Sequence, residues 1–119
     1  MKKLFSLVVI CLLTMVTYAQ KSITTSKDAL TTSKASGVYS FVLPSDISAD
    51  QVNSVKQYYV SYFTVDFTES THVMKVKLLA KDEMNYKVMN RLMVSLDIRK
   101  FFVDGTEMDY DKMYTTYMK

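Results

Sequence analysis

Two neighbouring segments in the middle of the chain alternate apolar and polar residues, and this alternation limits the folds that the chain can adopt. Residues 63–68 read Phe-Thr-Val-Asp-Phe-Thr, and residues 74–78 read Met-Lys-Val-Lys-Leu. A period of two is typical of strands with one buried face. With a turn through residues 69–71, the pair is predicted to form a β-hairpin with a solvated side that carries Lys75 and Lys77.

An amphipathic helix is predicted on each side of this hairpin. Ser48 and Gln51 have the spacing of a capping box, and Ile47 and Val52 have that of the accompanying hydrophobic staple. Asp82 can cap the second helix, since aspartate is a favoured N-cap residue. The apolar face of that helix consists of Met84, Val88, Leu92 and Leu96, and it is widened by Met89 and Met93.

A further strand is predicted at each end of this region. Residues 38–43 are apolar and end at Pro44, and residues 98–103 end at the turn Asp104–Gly105. The order over residues 37–105 is then β-α-β-β-α-β, which predicts an α+β, ferredoxin-like fold with a four-stranded antiparallel sheet and two helices on one face. The predicted core consists of Phe41, Leu43, Val52, Val55, Tyr59, Phe63, Val65, Phe67, Met74, Val76, Leu78, Val88, Leu92, Leu96 and Phe102.

In the order of its elements and in length, the segment from Val38 to Asp104 resembles the heavy-metal-associated (HMA) domain of copper chaperones and metal-transport ATPases. In that family, two cysteines in a C-x-x-C motif hold a soft metal ion where the first strand runs into the first helix. This chain has Ser48-Ala49-Asp50-Gln51 there. Soft monovalent metals select sulfur ligands. The resemblance therefore implies a fold, and it implies no metal-binding role for Ser48 or Gln51.

The first 19 residues have the pattern of a cleavable secretory signal peptide. Lys2 and Lys3 precede the apolar run 4–16, and Thr17-Tyr18-Ala19 follows, with the small residues Thr17 and Ala19 near the cut. The run is shorter than the ~20 residues that span a bilayer, so we expect no stable membrane insertion after cleavage near Ala19/Gln20. The only cysteine, Cys11, leaves with this segment, and disulfides and thiolate sites are therefore excluded from the exported chain. The predicted location is the periplasm or the exterior of a bacterium.

Two segments flank the predicted domain. Residues 20–36 are rich in Ser, Thr and Lys and repeat the tetrapeptide Thr-Thr-Ser-Lys, a composition that favours a flexible segment. An edge strand around Ile23 is the alternative, because threonine and isoleucine favour strands. Residues 106–119 space Tyr110, Met113, Tyr114 and Tyr117 as in a short amphipathic helix, and they are predicted to form a C-terminal helical tail.

The charge balance argues against a nucleic-acid partner. The formal net charge is +3, but Lys2 and Lys3 account for two of the 15 basic side chains, and the remaining 13 face 12 acidic ones. Proteins that bind nucleic acid usually concentrate basic residues on one face. Here the densest basic group, Lys75, Lys77 and Lys81, is interleaved with apolar residues as on a solvated strand.

One pair of residues could bind a metal. His72 is the only histidine, and with Met74 it forms a His-x-Met pair on one side of a strand. Imidazole and thioether groups suit copper. The simpler interpretation is that Met74 packs in the core in register with Val76 and Leu78, while His72 lies at the solvated end of the strand.

No catalytic signature is present, and no catalytic or cofactor-binding residue is assigned. The acidic group Asp104, Glu107, Asp109 and Asp111 departs from the EF-hand pattern and is interpreted as a solvated turn followed by a helix start. No nucleophile-elbow motif accompanies the serines, and nothing selects one carboxylate pair among the 12 acids. We therefore expect that the protein is not an enzyme and has no cofactor.

The number of tyrosines is high for such a short chain. Of nine tyrosines, eight lie beyond the signal segment. Tyrosine is enriched at recognition surfaces, although half-buried packing with solvated hydroxyl groups is an equal alternative. The sequence thus predicts a non-catalytic, exported binding or interaction module of the bacterial cell envelope, whose partner is another envelope protein. A homodimer is a second arrangement that the sequence allows, and a periplasmic copper-binding protein using His72 and Met74 is the alternative function.

Overall fold

A computed structural model describes residues 21–119, and the predicted signal peptide lies outside these residues. Within them the fold is α+β, with two three-stranded sheets and four helices. A 3₁₀ turn (Gln57–Tyr59) and a π-helical turn (Tyr114–Met118) extend two of the helices. The elements in chain order are β1 (Lys21–Thr25), α1 (Lys27–Ser36), β2 (Val38–Val42), α2 (Ala49–Lys56), β3 (Phe63–Thr68), β4 (Val73–Leu78), α3 (Glu83–Ser95), β5 (Ile98–Val103), β6 (Thr106–Met108) and α4 (Tyr110–Met113).

The first sheet contains the predicted hairpin. Its strand order is β2-β4-β3 and both pairings are antiparallel. Val76 pairs with Tyr39 on one side and with Val65 on the other, and all three side chains are buried. The opposite face bears Lys75, Lys77 and other exposed residues. The alternation in the sequence predicted this half-buried sheet because side chains on a strand point to the two faces in turn.

The second sheet corrects the predicted fold class. Its order is β1-β5-β6, with β1 parallel to β5 and β6 antiparallel to it. A single four-stranded sheet in a ferredoxin-like βαββαβ order is therefore wrong, and so is the fold implied by the resemblance to the HMA domain. In that fold the last strand would lie beside β2. Here β5 pairs with β1 instead, and β1 in turn contacts β2.

The additional strand and helix come from residues that were predicted to be a flexible segment. Ile23 in β1 and Leu30 in α1 are both buried, so this stretch contributes to the core despite its polar composition. Ser26 caps α1 by accepting a hydrogen bond from the Ala29 N–H, and Gly37 ends the helix in the left-handed conformation at φ 77°. The strand around Ile23, which was the alternative, is thus the conformation that the structure has.

The helix starts on either side of the hairpin are confirmed. Ser48 and Gln51 form both bonds of the capping box at the start of α2. The Asp82 carboxylate accepts a 2.8 Å hydrogen bond from the Asn85 N–H at the start of α3. Both helices begin with a side chain that satisfies main-chain N–H groups which would otherwise lack a partner.

The C-terminal segment folds against the rest of the protein. Strand β6 pairs with β5, and Asp109 then caps the short helix α4. Tyr110, Met113 and Met118 are buried. Residues 106–119, predicted as a helical tail, therefore also contain a strand, and their helical part covers the core.

The core is larger than predicted. Val55, Tyr59, Phe67 and Phe102 are only partly buried, while the other predicted core residues are buried. On β5 the prediction that Phe102 faces the core was wrong, because Phe101 and Val103 face the interior instead. The buried hydrophobic residues that the prediction missed are Ile23, Leu30, Tyr39, Ile47, Tyr86, Met89, Met93, Ile98, Phe101, Val103, Tyr110, Met113 and Met118.

Candidate functional site

His72 lies in the turn between β3 and β4 and connects this turn to the loop before α2. Its Nε2 atom is 2.8 Å from the main-chain oxygen of Ile47, and its Nδ1 atom is 3.3 Å from that of Glu69. The ring packs edge-on against Phe67, with ring centres 5.1 Å apart. The shorter contact favours the tautomer with the proton on Nε2, because a carbonyl oxygen can only accept.

Met74 is fully buried in β4, between its pairing partners Phe41 and Phe67. A copper ion bound through Nε2 of His72 would have to displace the contact with Ile47. Within residues 21–119 no group of three or more His, Cys, Asp or Glu side chains is arranged to hold a metal. The contacts of His72 and Met74 favour structural roles for both residues.

The acidic residues around the last turn have separate local partners. Asp104 accepts a 3.3 Å hydrogen bond from the Lys27 N–H, Glu107 lies 3.4 Å from Lys100, and Asp109 caps α4. Asp111 lies in the first turn of α4, where a carboxylate interacts favourably with the helix dipole. These contacts agree with the interpretation as a turn followed by a helix start.

The tyrosines that the sequence left unexplained meet between β2, α3 and the C-terminal helical segment. The Tyr39 and Tyr86 hydroxyl groups are 3.0 Å apart, and the Tyr110 hydroxyl donates a 2.6 Å hydrogen bond to the Tyr86 main-chain oxygen. The rings of Tyr86 and Tyr114 lie 5.0 Å apart, and Tyr114 is stacked parallel to Tyr110 at 6.5 Å. We refer to Tyr39, Tyr86, Tyr110 and Tyr114 as the tyrosine cluster.

The surroundings keep three hydroxyl groups of this cluster protonated. Burial is the main factor that raises the pKa of Tyr39 and of Tyr110 far above the ordinary value, with the neighbouring tyrosines as smaller contributors. Burial also raises the pKa of Tyr114, and the nearby Glu83 carboxylate acts in the same direction. Because a phenol must lose its proton to act as a base or nucleophile, these groups serve as neutral hydrogen-bonding groups at physiological pH.

A groove lies over the tyrosine cluster, between α3 and the C-terminal helical segment. It consists of two adjoining hollows of about 310 Å³ and 430 Å³ that share Glu83, Tyr114 and Lys119 as lining residues. Tyr86 lines the first hollow and Tyr110 lines the second. The first also includes Lys34, Lys81, Asp82 and Met118, and the second includes Lys87, Asn90, Arg91, Asp111 and Thr115.

Two lysine side chains at one end of the groove form hydrogen bonds to main-chain oxygens of the protein. Lys34 donates from Nζ to the main-chain oxygen of Lys119, and Lys81 donates a 3.1 Å hydrogen bond to the Ala35 main-chain oxygen near the end of α1. At the other end, Lys87 lies 3.8 Å from Glu83 in an exposed ion pair. The groove thus combines an aromatic floor with a rim of both charges, which suits binding of a polar or mixed-charge surface more than of an ion of one sign.

The sequence predicted that Met89 and Met93 widen the apolar face of α3, but Tyr86, which is also buried, was not among the residues of that face. Tyr86, Met89 and Met93 are spaced by three and four residues, which places them on one face of α3. These three residues extend the apolar face of Val88 and Leu92 around the helix, which indicates a helix that other elements cover from two sides. The spacing was visible in the sequence, but the element covering the second side comes from the tail.

No family model matches the chain, no curated protein matches it, and no solved structure matches it. The resemblance to the HMA domain thus has no support from these comparisons. No helix within residues 21–119 combines the length and the apolar character needed to cross a membrane.

Proposed function

We propose that this protein is a non-catalytic, exported binding module of the bacterial cell envelope, and that it contacts another envelope protein through the groove over the tyrosine cluster. The groove is the observation that carries the proposal. Tyr114 is partly exposed at its floor, and the nearly buried rings of Tyr86 and Tyr110 also line it. Tyrosine is large, rigid and amphipathic, and these properties enrich it in protein interfaces.

The chemistry of the groove supports binding over catalysis. A general base needs a pKa near the working pH, whereas burial moves the pKa values of Tyr39 and Tyr110 in the opposite direction from what a base at neutral pH needs. The acids at the groove lie at helix starts, Asp82 and Glu83 at α3 and Asp111 at α4, where carboxylates are common for structural reasons.

Export is proposed from the first 19 residues alone. Their basic start, apolar run and small residues before Gln20 are the features that signal peptidases require. Expression of the complete chain in a bacterial host, followed by cell fractionation and N-terminal sequencing, tests this part. We expect a product that begins at or near Gln20 in the periplasm or the medium, and an uncleaved cytoplasmic product would contradict export.

Site-specific photo-crosslinking tests the binding surface. Thr115 lines the groove, whereas its exposed neighbour Thr116 does not. With a photoreactive amino acid at each position in turn, we expect a crosslink to a second envelope protein from position 115 and a much weaker one from position 116. Equal crosslinking from both positions, or none from position 115, would contradict the proposed surface.

A copper-binding function using His72 and Met74 is not favoured by an observation in the described residues. Both nitrogen atoms of the His72 ring lie within 3.3 Å of main-chain oxygens, and the Met74 side chain is enclosed in the core. A metal would have to compete with both arrangements.

A further inference from the structure

Strand β3 is an edge strand of the first sheet, and within residues 21–119 no strand pairs with its outer side. The Leu79 N–H donates to the Tyr62 main-chain oxygen at 3.0 Å, immediately before the ladder between β3 and β4. In antiparallel pairing, residues that exchange hydrogen bonds alternate with residues that do not. The even-numbered residues of β3 therefore pair with β4, and the outward N–H and C=O groups belong to Phe63, Val65 and Phe67.

A hollow of about 260 Å³ lies beside this edge, where α2 ends above β3. Val60, Phe63 and Val65 provide apolar walls, and Lys56, Gln57 and Thr64 complete the lining. The Val60 side chain is 66% exposed, and nearby Tyr58 is 75% exposed. Apolar surface is thus open to solvent next to main-chain groups that pair with no strand among residues 21–119.

Lys56 supplies the only charge that lines this hollow. Its Nζ atom is 3.4 Å from the outward main-chain oxygen of Val65, which is a long contact for a hydrogen bond. Within residues 21–119, no acidic side chain forms an ion pair with Lys56. A partner that lies along the edge would therefore gain from a carboxylate at this position.

We propose that the outer edge of β3 binds an extended peptide segment of a partner protein, which adds a strand to the first sheet. Its main chain pairs with Phe63, Val65 and Phe67, one apolar side chain fills the hollow, and an acidic side chain lies beside Lys56. An extended peptide is the occupant that fits, because only a strand supplies donors and acceptors with this spacing.

A second copy of this chain fits the edge less well. The side chain of Lys56, in the last turn of α2, reaches the edge of β3. If β3 of another copy paired here, the α2 helix of that copy would meet this one at the same edge. An isolated extended segment brings no helix with it. This surface is separate from the groove over the tyrosine cluster, and the inference does not depend on export.

The test uses a fluorescein-labelled peptide, acetyl-Thr-Val-Thr-Glu-Thr-Val-Thr-amide, and the purified protein. We expect saturable binding by fluorescence anisotropy and, by hydrogen exchange measured with NMR, a slowing of about tenfold or more at the Val65 amide. The Thr64 and Asp66 amides bond to β4 in the free protein, and they serve as internal controls that are protected in both states. Absence of binding, or binding without protection of Val65, would show that the proposal is wrong.

Two matched controls separate the main-chain and charge contributions. Two peptides are compared, one N-methylated at its even-numbered residues and the other at its odd-numbered residues. The peptide whose methyl groups replace the hydrogens that face β3 is expected to lose binding and the other to keep it, because only every second N–H faces the edge. Lys56→Met is expected to weaken binding roughly fivefold, whereas Lys75→Met on the opposite face leaves it unchanged. Equal effects of the two N-methylated peptides, equal effects of the two lysine variants, or concentration-dependent dimerisation through β3 would each overturn the proposal.

Discussion

The two sheets of this protein are built from contacts of very different range along the chain. The first sheet contains a hairpin, β3–β4, whose strands are separated by a short turn held by His72. The second sheet pairs β1 with β5, and the paired residues are 77 or 78 positions apart, from Lys21 with Ile98 to Thr25 with Val103. Local alternation predicted the β3–β4 hairpin of the first sheet correctly, whereas the pairing of β1 with β5 depends on a partner that no local pattern identifies.

The largest effect is expected from Ile23→Ala, which tests whether β1 belongs to the cooperative core. The Ile23 side chain is fully buried beside β5, and truncation of such a side chain typically lowers the free energy of unfolding by about 3 kcal/mol. Urea denaturation followed by circular dichroism measures the change. Thr24→Ala, at the exposed neighbouring position, is the control and should change stability by less than about 0.5 kcal/mol. Equally small effects of the two substitutions would contradict burial of β1 in the core and would support the flexible segment that the composition predicted.

The difference in range also explains which parts of the fold could be predicted from the sequence. The capping box at Ser48 and Gln51 and the cap at Asp82 depend on residues three positions apart, so the sequence alone was sufficient. Ile23 and Leu30 are single apolar residues within polar surroundings, and their burial depends on β5 and the C-terminal segment. The composition of residues 20–36 therefore favoured disorder, although two well-placed apolar side chains were enough to anchor them.

The candidate site was predicted only in outline for the same reason. The spacing of Tyr110, Met113 and Tyr117 indicated a helix, but its position over Tyr86 is a long-range contact. For the many tyrosines the sequence left two alternatives open, half-buried packing with solvated hydroxyl groups and a recognition surface. In the structure Tyr39 and Tyr110 are buried and their hydroxyl groups are bonded inside the protein, which neither alternative predicted, while Tyr114 is partly exposed and lines the groove.

A rise in pH should weaken the protein at the tyrosine cluster, in which Tyr39 belongs to the first sheet and Tyr110 packs against Phe101 of the second. The pKa values of Tyr39 and Tyr110 are raised mainly by burial, so these groups keep their protons in the folded state when the unfolded chain loses them. Stability is then fully retained below the unfolded value of about 10 and falls above it, by about 1.4 kcal/mol per pH unit for each tyrosine. Urea denaturation at a series of pH values from 8 to 11 would measure this slope.

The variant Tyr39→Phe tests whether the tyrosine cluster causes this decrease of the free energy of unfolding with pH. It should reduce the loss of stability above pH ~10, because one group with a raised pKa is removed. Tyr58→Phe is the matched control, since Tyr58 is mostly exposed and should leave the slope unchanged. A slope that is the same in all three proteins would contradict a role of burial in the cluster.

A smaller effect is expected for the hydrogen bond between the hydroxyl groups of Tyr39 and Tyr86. A double-mutant cycle with Tyr39→Phe and Tyr86→Phe should give a coupling energy of about 1 kcal/mol, because each single change leaves the other hydroxyl without this partner. Urea denaturation at pH 7 provides the four free energies. Strictly additive effects would mean that the 3.0 Å contact does not stabilise the junction between the first sheet and α3.

The smallest effect concerns His72 and distinguishes a structural contact in the first sheet from a metal site. His72 has a φ of 59°, so His72→Asn is the suitable change, because asparagine tolerates this left-handed conformation. Loss of the 2.8 Å contact with the Ile47 main-chain oxygen should lower the free energy of unfolding by about 0.5 kcal/mol. The loss is small because the ring is partly exposed, so that water can replace it as the partner of this oxygen. Thermal melts of both proteins with and without copper complete the comparison. We expect equal melting temperatures with and without the ion, whereas a copper-dependent rise that disappears in the variant would establish the copper function and make the structural interpretation of His72 wrong.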